Sequence, residues 1–179
     1  IGVKSTSIKF KFMLKKFVLV CYSISMLTFF IFFINNMKSL YFLIPFFAFS
    51  YPFMKRITYW PQLFLGLTFN WGMIMAYTAM LDQVSLQIVI FYLAAIFWTL
   101  GYDTIYGVQD IADDEIIGIK SAAIKFKENL KVFVFVCYLI AILLIIYLFN
   151  KDIGLNLSTF FISMFILSLI YQIKIFSRD

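Results

Sequence analysis

Residues 132–150 read VFVFVCYLIAILLIIYLFN, a run without a single charged side chain. A helix needs about 20 mostly apolar residues to cross the hydrocarbon core of a bilayer, so this run predicts a transmembrane helix. Comparable stretches before and after it predict an all-α, polytopic transmembrane helical bundle, with the whole chain (1–179) as a single domain. We expect six spanning helices, at residues 17–34, 39–53, 62–80, 86–102, 132–150 and 155–173.

The composition supports a membrane protein and leaves no stretch for a soluble domain. Apolar residues make up 64% of the chain and charged residues only 13%, whereas soluble domains carry about 25% charged residues. The net charge of +6 is explained by membrane orientation and by anionic lipid head groups. No nucleic-acid-binding motif is present, so nucleic acid is not an expected partner.

The distribution of basic residues predicts the orientation, because cytoplasmic loops collect Lys and Arg. Thirteen of the fifteen basic residues precede the first span or follow the second, fourth and sixth; only Lys38 and Lys151 fall on the other side. Both termini are therefore expected on the cytoplasmic side of a bacterial-type inner membrane. The first apolar run is too long for a signal peptide and lacks a clear cleavage site, so we expect a retained signal anchor.

Two segments of the chain repeat each other. Residues 1–24 read IGVKSTSIKFKFMLKKFVLVCYSI and residues 117–140 read IGIKSAAIKFKENLKVFVFVCYLI, with roughly two-thirds of positions identical. Four predicted spans separate the copies, so both enter the membrane from the same side and the repeat is parallel. Cys21 and Cys137 are equivalent positions. The chain has no histidine and no CxxC spacing, so free thiols are expected rather than a zinc site.

The segment 102–126, YDTIYGVQDIADDEIIGIKSAAIKF, holds five of the nine acidic residues. In a helix, Asp110 and Asp114 would share one face, close enough to share a cation. Carboxylates are the hard oxygen ligands that Mg²⁺ prefers. Asp103 would lie about two helical turns away on the same face and could support the site. Two carboxylates at this spacing are a weak signal, and an ordinary charged cytoplasmic loop is the alternative.

A basic segment, YPFMKRIT at residues 51–58, lies at the cytoplasmic end of the second predicted span. Lys55 and Arg56, beside the phenol of Tyr51, could bind a diphosphate, with the arginine as a bidentate fork and the lysine as a point charge. The alternative is that the two cations only anchor the helix end. Flanking prolines are expected to fix the turn.

Asn70 lies near the middle of the third predicted span. A polar amide at that depth either faces a functional cavity or makes a hydrogen bond between helices. No predicted span carries a charged residue near its centre, which disfavours an ion-coupled transporter or a channel.

Two ordered strings identify a family. YPFMKRITYWPQLFLGLTFNWGMIMAYTA (51–79) and GYDTIYGVQDIADDEIIGIKSAAIKF (101–126) closely resemble segments of the UbiA-type membrane prenyltransferases, most nearly the 4-hydroxybenzoate polyprenyltransferases of ubiquinone synthesis. The resemblance implies a bundle of about nine helices around a cavity open to lipid. It also implies Mg²⁺-dependent transfer of a polyprenyl group from its diphosphate to 4-hydroxybenzoate. Haem farnesylation and menaquinone synthesis are the alternatives within the family.

The site residues follow from matching these strings, together with the chemistry of each side chain. In the implied reaction the allylic C–O bond ionises and the aromatic ring attacks the prenyl cation ortho to its hydroxyl. We predict three groups of residues: catalytic Lys55, Arg56 and Asp103; substrate-binding Tyr51, Asn70 and Lys120; and the metal ligands Asp110 and Asp114.

The chain also departs from the family pattern. Family members carry a first aspartate-rich motif followed by Arg-Pro, which this sequence lacks. Its first residues instead copy the sequence after the second motif. We therefore expect an incomplete prenyltransferase bundle. The alternative is a catalytically inactive membrane fragment, or a subunit that pairs with a partner chain supplying the missing motif.

Overall fold

A computed structural model describes residues 20, 50, 51, 53–150, 154 and 156–176. Tertiary contacts divide the chain into two compact units, Ile1–Tyr41 and Phe42–Asp179, and all described residues except residue 20 belong to the second. Within the described residues every regular element is helical, with no strand. The predicted all-α class is confirmed.

Among the described residues, six α-helices follow one another from residue 61 onward. Pro61 occupies the first turn of the first helix, where its missing N–H would have had no partner within the helix. A short 3₁₀ helix, Lys127–Asn129, precedes the fifth helix, and residues 53–57 are also helical. The helices are α1 (Pro61–Leu81), α2 (Leu86–Gly107), α3 (Ile111–Ile117), α4 (Ala122–Lys125), α5 (Leu130–Phe149) and α6 (Leu157–Phe176).

Four helices, α1, α2, α5 and α6, are long and apolar enough to cross a membrane. They coincide with the last four predicted spans, which began at residues 62, 86, 132 and 155. The predicted spans 17–34 and 39–53 lie almost entirely outside the described residues, as does the first repeat copy (1–24) with Cys21. The count of six spans and the orientation therefore stay predictions.

Helix α2 is longer than the sequence indicated, since it runs to Gly107 rather than residue 102. Tertiary packing explains the extra turn. Ile105 packs against a buried cluster of Val134, Tyr138 and Leu169, so ending the helix earlier would leave this apolar side chain without its neighbours. The segment 103–131 between the fourth and fifth predicted spans thus consists of the end of α2, a turn, α3, α4, the 3₁₀ helix and the first two residues of α5.

Helices α1 and α2 pack closely, and polar bonds link them. The Asn70 amide donates to the Thr99 hydroxyl at 2.8 Å and to the Gly66 carbonyl at 2.9 Å. The Tyr92 hydroxyl donates to the Leu67 carbonyl at 2.7 Å. Buried polar groups in an apolar interface need such partners. The Asn70–Gly66 bond lies within α1, so the Asn70–Thr99 and Tyr92–Leu67 bonds fix the two helices relative to each other.

On its other side α2 packs against α5, through Gly101. A Cβ added there would overlap the Tyr138 ring, and Tyr138 is fully buried. Its hydroxyl donates to the Gln172 side-chain oxygen of α6 at 2.7 Å. One tyrosine therefore joins α2, α5 and α6 near the end of the bundle where the acidic residues lie. The neighbouring Cys137 is a buried free thiol, as expected.

Candidate functional site

The acidic segment folds as a helix with well-defined ends. Asp110 is the N-cap of α3, and Asp113 and Asp114 lie in its first turn, where the helix dipole favours negative charge. Gly118 ends the helix with a φ of 76°, and its N–H donates to the carbonyls of Asp114 and Glu115. Glycine is strongly favoured at this position, because it adopts the left-handed backbone conformation without steric cost. Gly118 thus ends α3 at Ile117.

A small polar cavity of about 190 Å³ lies beside α3, and we call it the acidic cavity. The end of α2, the start of α1 and the residue before α4 form its walls, together with the basic segment. It brings together five of the eight predicted site residues. Its lining residues are Tyr51, Lys55, Pro61, Gln62, Asp103, Tyr106, Gly107, Gln109, Asp110, Asp114 and Ser121.

Three carboxylates line the acidic cavity from two helices. Asp110 and Asp114 are one turn apart, and the Asp114 N–H donates to the Asp110 carbonyl at 2.8 Å. Asp103 was expected on the same continuous helical face. Instead α2 ends at Gly107 and Asp110 begins a new helix, so Asp103 reaches the cavity from a different wall. Lys55 lines the same cavity, so a cation and the Asp103 carboxyl group face one site.

The two α3 carboxylates suit Mg²⁺. No group of three or more His, Cys, Asp or Glu residues that could hold a metal occurs in the part of the chain that the structure describes. Mg²⁺ commonly takes only one or two carboxylates and completes its shell with water and phosphate oxygens. Asp110 and Asp114 offer such a pair at the wall of an open polar cavity.

Lys120 lies outside the cavity lining and contacts the basic segment instead. Its backbone N–H donates to the Lys55 carbonyl at 2.7 Å, and its ammonium group donates to the Ile57 carbonyl at 3.3 Å. The same ammonium lies 5.5 Å from the centre of the Tyr59 ring. Lys120 thus holds the segment that carries Lys55, and its predicted role in substrate binding stays a prediction.

Two other predicted site residues do not line the acidic cavity. Arg56 is exposed on the basic segment. Asn70 is buried between α1 and α2, where it bonds to Thr99. That contact is the helix-to-helix hydrogen bond that the sequence left as the alternative. The catalytic role of Arg56 and the substrate-binding role of Asn70 stay predictions.

The other charged residues of α3 face away from the cavity lining. Glu115 pairs with Lys127 at 2.8 Å, and both side chains are largely exposed. Asp113 is exposed as well. The acidic cavity therefore uses Asp110 and Asp114 and leaves their neighbours on the surface.

Six lining residues were not predicted as site residues: Pro61, Gln62, Tyr106, Gly107, Gln109 and Ser121. Gln62 is only 4% exposed, and its Oε1 accepts from the Ala122 N–H at 3.0 Å. Ser121 is the N-cap of α4, and its hydroxyl accepts from the Ile124 N–H. A serine before Ala-Ala-Ile is a helix-start signal, and a glutamine at the entry to an apolar span is unusual. Neither signal indicates which cavity the residue lines.

An aromatic cluster secures the start of α1 against α5. The Trp60 ring lies 5.7 Å from Phe126 and 6.1 Å from Phe133, and these two phenylalanines stack at 4.1 Å. The Lys125 ammonium lies 4.4 Å from the centre of the Trp60 ring, which favours a cation–π contact. These contacts hold the start of α1, with Gln62, at the cavity.

A second cavity, of about 710 Å³, lies next to the first. Helices α1, α2 and α6 and the turn after α2 form it, and most of its side chains are aromatic or aliphatic, so we call it the aromatic groove. It shares Tyr106 and Gln109 with the acidic cavity. Its lining residues are Phe69, Trp98, Tyr102, Ile105, Tyr106, Val108, Gln109, Tyr171, Gln172, Ile175 and Phe176.

Comparisons with known proteins identify the family of this helical bundle. The model of the UbiA prenyltransferase family matches residues 2–179. The chain belongs to the UbiA prenyltransferase family. The family expected from the two ordered strings is thereby confirmed.

Curated relatives of this UbiA-family chain include mitochondrial 4-hydroxybenzoate polyprenyltransferases. The chain is 52% identical over 85 residues to that of Arabidopsis thaliana, covering 47% of the chain and 21% of the relative. It is 51% identical over 83 residues to the Homo sapiens protein, which covers 46% of the chain and 22% of the relative. The Dictyostelium discoideum protein is 52% identical over 83 residues, covering 46% and 18%. The matched segments thus span about a fifth of each relative. No solved structure matches the chain.

Proposed function

We propose that this UbiA-family protein is an aromatic prenyltransferase, which transfers a polyprenyl group from its diphosphate to 4-hydroxybenzoate in ubiquinone synthesis. One observation carries the proposal: Lys55, Asp110 and Asp114 meet in a polar cavity that adjoins an aromatic groove. A polyprenyl diphosphate has the same two parts, a charged head and a long apolar chain. The relatives are 4-hydroxybenzoate polyprenyltransferases, which supports 4-hydroxybenzoate as the acceptor.

The charge of the acidic cavity argues for a divalent cation. Asp103, Asp110 and Asp114 line it against the single cation of Lys55, so a diphosphate entering alone would be repelled. We propose that Asp110 and Asp114 hold Mg²⁺. When bound, Mg²⁺ supplies a Lewis acid that neutralises charge on the diphosphate oxygens.

The chain's own residues bind and orient the leaving group. Lys55 offers a compact positive charge that can donate to a diphosphate oxygen, and the phenol of Tyr51 is a second donor in the same cavity. Asp103 lines the same cavity as Lys55, where a carboxylate can attract the ammonium group. Stabilising developing charge with fixed donors is commonly the largest contribution to catalysis.

The aromatic groove would bind the apolar chain and shelter the reacting carbon. The allylic C–O bond breaks with its electron pair on the diphosphate, the ring carbon ortho to the acceptor hydroxyl forms the new C–C bond, and the ring then loses its proton. Trp98, Tyr102 and Tyr106 line the groove, and their π faces attract a cation. A groove of this kind also excludes water, which would otherwise capture the cation.

We further propose a bacterial-type inner membrane as the location, with the acidic cavity on the cytoplasmic side. The curated relatives are mitochondrial proteins, so a mitochondrial membrane is the alternative. Cell fractionation with an antibody to the chain distinguishes the two. A cysteine placed at Asp113 should react from the cytoplasmic side only, and labelling from the opposite side alone would contradict the orientation.

A transfer assay tests the function. Membranes containing the inserted chain receive radiolabelled polyprenyl diphosphate and 4-hydroxybenzoate, with Mg²⁺ or with EDTA. We expect prenylated 4-hydroxybenzoate only with Mg²⁺. Product that forms only when a second chain co-purifies would favour the partner-subunit alternative. Absence of product under every condition, from protein shown to be inserted, would favour the inactive fragment.

A further inference from the structure

The Gln62 side chain is buried at the wall of the acidic cavity, where no role was expected for it. It follows Pro61 in the first turn of α1 and is 4% exposed. A buried amide has one acceptor and two donor hydrogens to satisfy. How they are used decides whether the residue is only structural.

The orientation of this amide is fixed by its partner. The Gln62 Oε1 accepts a hydrogen bond from the Ala122 N–H at 3.0 Å. Because a backbone N–H can only donate, the oxygen and not the nitrogen of the amide must face Ala122. The Nε2 group therefore points away from α4. It lies by Gly107, where an added Cβ would be 3.5 Å from it, and both residues line the acidic cavity.

Among the described residues no hydrogen bond from Nε2 is present, and Nε2 is not one of the fully buried polar atoms without a partner, so this donor keeps access to the acidic cavity that Gln62 lines. It is a neutral donor, fixed in position, in a cavity where carboxylates supply only acceptors. A donor that is open to a cavity takes water or a ligand atom as its partner. A ligand that brings an anionic oxygen into the cavity would provide one without competing with a cation for the carboxylates.

We infer that Gln62 is a ligand-binding residue, whose Nε2 donates a hydrogen bond to an anionic oxygen of a bound substrate. The inference rests on the proposed function and deepens it. The oxygen belongs either to a diphosphate or to the carboxylate of an aromatic acid. In both cases the hydrogen bond from the Ala122 N–H already fixes the orientation of the Gln62 amide, so ligand binding does not carry the entropy cost of ordering this side chain.

Two variants separate this role from the others. Gln62→Glu keeps an acceptor for the Ala122 N–H, loses the Nε2 donor and adds a charge. Gln62→Met loses both donor and acceptor and adds no charge. A ligand-binding role predicts that both variants lose binding. A structural role predicts loss only in Gln62→Met, and simple charge repulsion predicts loss only in Gln62→Glu.

The measurement is calorimetric titration of the full chain in detergent with inorganic pyrophosphate plus Mg²⁺, and separately with 4-hydroxybenzoate. We expect both variants to bind one of these two ligands about 10-fold more weakly, or weaker still, which is the usual cost of losing a hydrogen bond to a charged group. The ligand that is affected identifies the source of the oxygen. Thermal melting should fall clearly only for Gln62→Met.

Salt dependence keeps the test decisive where Gln62→Met does not fold. Repulsion by the added charge of Gln62→Glu is screened as salt rises, whereas the loss of a donor is not. A Gln62→Glu defect that persists at high salt supports the inference, and a defect that disappears overturns it. Binding by both variants at the wild-type level overturns it as well and leaves the proposed function standing. If the wild-type chain binds neither ligand, both proposals fail.

Discussion

The acidic cavity and the aromatic groove differ in size, chemistry and construction, although they share Tyr106 and Gln109. The acidic cavity has about 190 Å³ and is built mostly from helix ends and short segments. The aromatic groove has about 710 Å³, and most of its lining comes from the spanning helices α2 and α6. Helix ends and turns leave backbone and side-chain polar groups free to bind charge, whereas continuous helices offer apolar side chains. The two cavities therefore suit opposite ends of one amphipathic ligand.

The largest expected effect comes from removing the charge of the acidic cavity. The double variant Asp110→Asn, Asp114→Asn keeps the size of both side chains and removes the two carboxylates that we propose as Mg²⁺ ligands. Because metal-assisted charge neutralisation contributes several kcal/mol to the transition state, we expect transfer activity to fall by about 1,000-fold. The measurement is initial rate with saturating Mg²⁺.

Asp113→Asn is the matched control for that variant. Asp113 lies in the same helical turn, is exposed and does not line the cavity. Its activity should stay near that of the wild type. Equal losses in Asp113→Asn and in the double variant would mean that the general negative charge of α3, not the cavity, is required.

The second prediction concerns the helix that both cavities share. Gly101→Ala would place a methyl group into the Tyr138 ring. Overpacking of this kind costs about 1–3 kcal/mol, so the melting temperature in detergent should fall, while the folded fraction still binds pyrophosphate. Gly72→Ala is the control, because an added Cβ there meets no atom within 4 Å. Unchanged melting of Gly101→Ala would show that Tyr138 can move aside.

The third prediction tests the aromatic groove alone. Trp98 contacts Tyr102 at 5.3 Å and Phe165 at 5.6 Å between ring centres. Trp98→Leu removes these contacts, so we expect KM to rise about 5-fold for a long polyprenyl diphosphate and little for a ten-carbon one. Phe161→Leu is the control, since Phe161 is exposed on α6 outside the groove. The same change in KM for both chain lengths would exclude the groove as the chain-binding site.

The two regions also differ in how far the sequence predicts them. The spanning helices were predictable because a bilayer imposes a length of apolar sequence, and the four that are described start within two residues of the predicted positions. Their ends were less predictable. Helix α2 continues to Gly107 because Ile105 packs against residues of α5 and α6, and no local pattern reveals partners so distant in the sequence.

In the acidic cavity, spacing along the chain predicted the pairing of Asp110 with Asp114, since residues four apart in a helix share a face. It did not predict Gln62, whose partner Ala122 is 60 positions away. Asp103 also reaches the cavity differently from the predicted single helical face, because the chain turns after Gly107 and Asp110 begins a new helix. Local periodicity therefore predicts pairs within one helix, whereas the walls of a cavity depend on contacts between helices.

The smallest expected effect distinguishes holding the acidic cavity together from acting within it. Lys120 does not line the cavity, and its ammonium donates to the exposed Ile57 carbonyl at 3.3 Å. Its backbone bond to Lys55 needs no side chain. Lys120→Met should therefore lower kcat/KM only about 2- to 3-fold, as for other exposed charged contacts.

A substrate-binding Lys120 would behave differently. Removing a charge that contacts a diphosphate should cost about 10- to 100-fold, mostly through KM. Lys127→Met provides the matched control, because Lys127 is exposed in the same segment and pairs with Glu115. If Lys120→Met resembles this control, the basic segment is held mainly by backbone bonds. A large rise in KM would instead mean that Lys120 turns towards the ligand, and the acidic cavity would then bind its substrate with a second cation beside Lys55.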